Sequence, residues 1–162
     1  MTVRLRAHHL LCLLAYAGKG YSPAFTANYD RLAARIAAGE AVEIVSGPDD
    51  ICAPLLDGDA PHCRLDRVMR RDRLAAEAVA GLLSRSIAPG TVLDFDAHTI
   101  ASLRVAFANG TARAACAGCE WFDLCTVIAS NGYRDTRIGS KTASTTAPSP
   151  RSRHRRHKAS GR

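Results

Sequence analysis

The sequence predicts a mainly α-helical α+β fold: a single compact domain with a small β-sheet, followed by a disordered basic C-terminal tail. Three observations carry this. Apolar residues recur at helical spacing over several long stretches, such as Phe25, Tyr29, Leu32, Ala33 and Ile36. Three short stretches, Val3–Ala7, Val42–Val45 and Val92–Phe95, instead have the length and composition of strands. After Ile138 the composition turns to Ser, Thr, Ala and Pro and then to arginine, which cannot bury a core. The expected division is a cysteine-containing globular domain over 1–138 and a disordered tail over 139–162. A chain of 162 residues with 47% hydrophobic content suffices for one such core.

In order along the chain, Val3–Ala7 alternates apolar and basic residues as a strand does. His8–Tyr16 is apolar nearly all round and predicts a core helix that ends at Gly18. Gly18, Lys19 and Gly20 lack the spacing of a phosphate-binding loop. Ser22 followed by Pro23 starts the next helix, a hydroxyl cap before a proline in the first turn, and Gly39 stops it. Val42–Val45 is the second strand, broken at Gly47 and Pro48. A loop with Pro54, Gly58 and Pro61 leads to His62 and Cys63. Leu65–Leu83 predicts a long amphipathic helix with Leu65, Val68, Met69, Ala76, Val79, Leu82 and Leu83 inward. Its arginines Arg67, Arg70, Arg71 and Arg73 are expected on the solvated face. Pro89 and Gly90 turn the chain into the third strand. Asp96 caps a helix that buries Ile100, Leu103 and Phe107 and closes at Asn109 and Gly110. A last helix places Trp121, Leu124, Cys125 and Ile128 on one face.

The chemistry concentrates in Cys116-Ala117-Gly118-Cys119-Glu120-Trp121-Phe122-Asp123-Leu124-Cys125, which holds half of the six cysteines and the only tryptophan. Thiolates this close bind soft metals or iron–sulfur clusters, or exchange disulfides. The C-x2-C-x5-C spacing is similar to the last three ligands of the [4Fe-4S] loop in endonuclease III-type DNA glycosylases. That loop has a further cysteine upstream, where this chain has Asn109, and the helix–hairpin–helix glycines and catalytic lysine are absent. Three cysteines leave a four-ligand site incomplete. Cys63 and Cys52, both on loops, are the expected suppliers of the fourth ligand. His62 is a weaker candidate. Cys12, inside an apolar helix, is expected to be a packing residue. The spacing differs from the paired knuckles of most structural zinc sites, so an iron–sulfur cluster is expected, with zinc as the alternative.

His8 and His9 with Cys12, on the first helix, are either a second ligand set or acid–base pair, or the histidines are packed side chains bonded to backbone. Asp49 and Asp50 are expected to cap a turn rather than to act as an acid pair. The net charge of +7 is no sign of a nucleic-acid-binding fold. Seven of the 22 basic residues lie beyond Ile138, leaving 15 basic against 15 acidic residues in the rest. Any nucleic-acid contact is therefore expected only through the tail. No apolar run is long enough to span a membrane. Leu10–Ala17 imitates a signal peptide, but His8 and His9 interrupt it, and removing it would take Cys12 away. A cytoplasmic protein with reduced thiols is expected, which favours metal over disulfides.

Several motifs together resemble a known family. They are the run from Arg4 through His8 and His9 to Cys12, Gly20–Phe25, Gly47–Cys52, His62 with Cys63, and the Cys116–Cys125 clasp. These resemble the bacterial and archaeal domain of unknown function 1284 family, over about Val3 to Ile138. The resemblance implies a small soluble prokaryotic protein with a proposed iron–sulfur-binding role. Some family members carry C-x2-C at the first cysteine loop, where the second position here is Leu55. The expected function is thus [4Fe-4S] binding by Cys116, Cys119 and Cys125 with Cys63 or Cys52, serving electron transfer, sensing or structure, with an unidentified redox or protein partner. The alternatives are a zinc-stabilised structural or nucleic-acid-interacting module, or a metal-dependent enzyme using His8 and His9.

Overall fold

The computed structural model describes residues 1–56 and 62–139. The expected tail, but for Gly139, lies outside the described residues, as do Gly58, Pro61 and the side chain of His62. The remainder is the expected mainly helical α+β domain. Its elements are β1 (Val3–Leu5), α1 (Ala7–Leu14), α2 (Pro23–Ala37), β2 (Val42–Ile44), α3 (Asp66–Leu83), β3 (Val92–Leu93), α4 (Ala97–Ala108) and α5 (Phe122–Ser130), with 3-10 turns at Ala53–Leu55, His62–Arg64 and Ala114–Cys116. No helix among the described residues is long and apolar enough to cross a membrane.

The sheet has the order β1-β2-β3. β1 and β2 run parallel, Val3 opposite Val42 and Leu5 opposite Ile44. A parallel pair needs a long crossover, and α1 with α2 supplies it. β3 closes the sheet antiparallel to β2, Leu93 opposite Val42. Val3, Leu5, Val42, Ile44 and Leu93 are all buried, so one face of the sheet points into the core.

α1 is the centre of the molecule. Leu10, Leu11, Leu13 and Leu14 are fully buried, and the helix packs against both α3 and α4. Eight residues cannot hold a helix in water, so tertiary burial stabilises it. α2 begins as expected: Phe25 N–H donates to Ser22 Oγ at 3.1 Å, with Pro23 at the first turn. The free carbonyl of Leu14 at the end of α1 accepts two hydrogen bonds from Arg104 of α4, at 3.0 and 3.2 Å. Arg104 also donates to Ile138 O at 2.9 Å, tying the last described segment to α1.

The face of α3 differs from the expected one. Leu65, Met69 and Leu82 are exposed, while Val68, Ala75 and Val79 are buried. Asp72 sits within that buried stripe, and Arg71 beside it is only half exposed. Asp72 accepts two hydrogen bonds from Arg6, which is 1% exposed and the largest fully buried side chain. The expected face of α5 is found: Trp121, Leu124, Cys125 and Ile128 are half-buried, and their neighbours Phe122, Asp123, Thr126 and Val127 are exposed.

Candidate metal centre

The clasp forms from local geometry. The Ala114–Cys116 turn brings in the first sulfur. Gly118 takes φ +70°, a left-handed conformation that residues with a Cβ rarely adopt, and so reverses the chain between Cys116 and Cys119. Cys119 N–H donates to Cys116 O at 3.0 Å. Cys125 lies one turn into α5. The three sulfurs face a cavity of about 110 Å³ whose wall includes Tyr21, Phe25, Tyr29, Trp121 and Phe122.

Cys12 faces the same cavity, where a packing role was expected. It is surrounded by protein, yet half-exposed to this internal space. Its nearest electrostatic neighbours include all three clasp thiols. Burial, then Cys116, Cys119 and Cys125, push its thiol well above the usual range. Cys125 is pushed up to about 11 by burial and by Cys119 and Cys116, with Arg113 opposing. Burial also raises Cys116, against the pull of Arg113. Among the described residues, no three of these four sulfurs lie within 4.8 Å of one another.

The two other cysteines face a second, smaller cavity of about 60 Å³. Of the five cysteines expected as ligands, Cys116, Cys119 and Cys125 therefore share one wall, and Cys52 and Cys63 another. Burial, with the nearby Asp49 and then Cys63, raises the Cys52 thiol far above its usual range. His9, Asp49 and Cys52 offer ligand atoms that all lie within 4.8 Å of one another, a group that could hold a metal ion.

His8 and His9 lie between the cavities and line both, with ring centroids 4.3 Å apart. Neither is merely packed against backbone. His8 Nδ1 is 2.6 Å from Asp72 Oδ1, and His9 Nδ1 is 2.6 Å from Asp49 Oδ2. Both carboxylates sit below their ordinary range. Burial raises Asp49, but His9 and the N–H of Arg6 outweigh it and bring it to about 2. Asp72 is likewise raised by burial and lowered further by His8 and Arg6. Ionised carboxylates only accept, so each Nδ1 carries the proton and donates. Burial and His9 hold His8 down to about 4 against the pull of Asp72. The His8 ring is therefore neutral at pH 7, and its contact with Asp72 is a hydrogen bond rather than an ion pair.

Asp49 also caps its turn as expected, accepting from Ile51 N–H at 3.0 Å and Cys52 N–H at 3.1 Å. Arg6 joins the two cavities' supports. It donates to Asp72 Oδ2 through Nε at 2.9 Å and Nη2 at 2.6 Å, and to Cys63 O through Nη1 at 2.7 Å. Arg6, Arg71 and Asp72 were not singled out as site residues by sequence reasoning, and Cys12 was weighed only with His8 and His9, not with the clasp. Arg71, expected in solvent, lines both cavities. One available signal was the placement of His8, His9 and Cys12 within one helical turn of an otherwise apolar helix. Another was Asp72, an acid four residues after Val68 and seven before Val79 on the buried stripe.

Comparison with known proteins finds no match among curated proteins and none among solved structures. A family model described as protein of unknown function (DUF1284) matches residues 20–125. That stretch contains five of the six cysteines, ends at Cys125 and starts after the His8, His9 and Cys12 helix. It covers well over half of the chain, which therefore belongs to the DUF1284 family of proteins of unknown function.

Proposed function

We propose that the protein binds one [4Fe-4S] cluster in the larger cavity, held by Cys116, Cys119, Cys125 and Cys12. The observation that carries this is the convergence of four cysteines from α1, the Ala114–Cys116 turn, the following loop and α5 on one aromatic-walled cavity. Their spacing favours a cluster over a single ion. Zinc bonds of about 2.3 Å set tetrahedral sulfurs roughly 3.8 Å apart. A four-iron cube holds its ligand sulfurs wider, in keeping with four thiols of which no three lie within 4.8 Å of one another.

A second feature of the wall fits a sulfide-rich guest. Among the described residues, only Tyr29 Oη and Arg113 Nε are buried side-chain polar atoms without a hydrogen-bond partner, and both residues line this cavity. Both are donors, and sulfide and thiolate sulfurs are acceptors that such donors stabilise. When bound, the cluster would supply one-electron redox chemistry. Four cysteine ligands leave no iron site open, which favours electron transfer or sensing, or a structural role, over catalysis at iron. The thiols must lose their protons on loading, and the nearby Arg113, which draws the Cys116 thiol downward, offsets part of the resulting charge.

The test is anaerobic purification of the full chain, with iron, sulfide and zinc analysis and a visible spectrum. A brown protein with about four iron and four sulfide per chain is expected. Cys12→Ser should lose that cluster as completely as Cys119→Ser. A colourless protein with zinc bound by the clasp would reject the cluster.

A further inference from the structure

We propose that the smaller cavity is a separate mononuclear zinc site, with His9 Nδ1, a carboxylate oxygen of Asp49, and the sulfurs of Cys52 and Cys63 as its four ligands. This holds whether or not the larger cavity carries a cluster.

Three of the four donors are already gathered. Ligand atoms of His9, Asp49 and Cys52 lie within 4.8 Å of one another. The second sulfur is close by: Cys63 lies outside that group of three but lines the same cavity as Cys52 and His9. Tetrahedral zinc with bonds of about 2.0–2.3 Å spaces its ligands roughly 3.3–3.8 Å apart, so small movements would complete the site. A mixed nitrogen, oxygen and sulfur set suits zinc better than harder ions.

The carboxylate is oriented by backbone. Asp49 accepts N–H bonds from Arg6, Ile51 and Cys52 at 2.7, 3.0 and 3.1 Å. It also accepts the His9 Nδ1 proton, at a heavy-atom distance of 2.6 Å. An ion would take the place of that proton, leaving the three backbone bonds intact. The proton balance is simple. Cys52 and Cys63 each release one proton, and the His9 ring changes tautomer, its proton moving from Nδ1 to Nε2. The bound set, one Zn²⁺ with one carboxylate and two thiolates, carries a net charge of −1. Arg6 stands beside it, with its guanidinium on the Cys63 carbonyl at 2.7 Å.

The two cavities differ in what they ask of a metal. Cys52 and Cys63 do not line the larger one, and Cys12 and the clasp do not line the smaller. The sites should therefore load independently.

The experiment uses the full-length chain, purified anaerobically, with zinc and iron measured separately. About one zinc per chain is expected, retained in Cys12→Ser. Cys63→Ser should lose zinc and keep iron. Cobalt(II) added to the chelated wild-type protein should give tetrahedral visible bands with sulfur-to-cobalt charge transfer, a readout that needs no variant to fold. Three results would overturn the proposal: wild-type protein that binds neither zinc nor cobalt, loss of iron instead of zinc in Cys63→Ser, or a Cys52–Cys63 disulfide in the anaerobic protein.

Discussion

The two cavities share His8, His9, Tyr21, Phe25 and Arg71, yet they gather cysteines in opposite ways. In the larger one, four thiols stand apart around aromatic rings, and three of them come from one ten-residue stretch. In the smaller one, two cysteines share the wall with an imidazole that is bonded to the Asp49 carboxylate, and the donors come from positions far apart in sequence. The lesson is that the number and spread of sulfurs differ between the two, although all six cysteines belong to one small domain, and the two metal proposals rest on that difference. The shared wall is polar because each histidine is pinned through Nδ1 to a carboxylate.

Removal of that pinning is the strongest way to break the contrast. Asp72→Asn takes the partner from a guanidinium that is 1% exposed and from His8, and should destabilise the chain by roughly 3 kcal/mol in urea unfolding. Its sign with pH follows. Asp72 is held below its unfolded value of about 3.9, so its contribution is present above that value and lost as pH falls through the lower folded value. The acid limb of the wild-type stability curve should therefore be steeper than that of Asp72→Asn.

Proton release sharpens the comparison next. The thiols of Cys12, Cys116, Cys125 and Cys52 are all raised by burial, so metal must displace protons at both sites. Occupancy should fall as pH is lowered, with about two protons released per zinc in weakly buffered titrations. Loss of affinity toward high pH over the neutral range would contradict it.

The smallest expected effect separates the cavities by a single oxygen. Tyr29→Phe removes a buried donor that has no partner among the described residues. It should stabilise the metal-free chain by about 1 kcal/mol. With the larger cavity loaded, it should instead lower the reduction potential, while zinc content stays unchanged. An unchanged potential would mean that the hydroxyl does not reach the bound sulfurs.

Much of this was legible without coordinates. Helical periodicity, the cap formed by Ser22 and Pro23, and the alternating stretches at Val3 and Val42 are local signals, and they predict the elements that form. The clasp is local too: its spacing, with Gly118 free to turn left-handed, brings three sulfurs to one place. What the sequence could not determine was pairing across distance. Cys12 belongs to an apolar helix and reads as packing, because nothing within its own segment shows that α5 brings the clasp to its open side. Arg71 reads as part of a solvated face and Asp72 goes unremarked, because the partner that holds Asp72, Arg6, lies sixty-six residues before it. Cys52 and Cys63 read from the sequence as completions of the clasp, and only the tertiary structure shows that they line a different cavity from it. Hydrogen-bond and hydrophobic periodicities act over a few residues and are written in the chain. The choice of which buried groups meet depends on how whole helices rotate to satisfy every buried charge at once, and only the tertiary structure decides that.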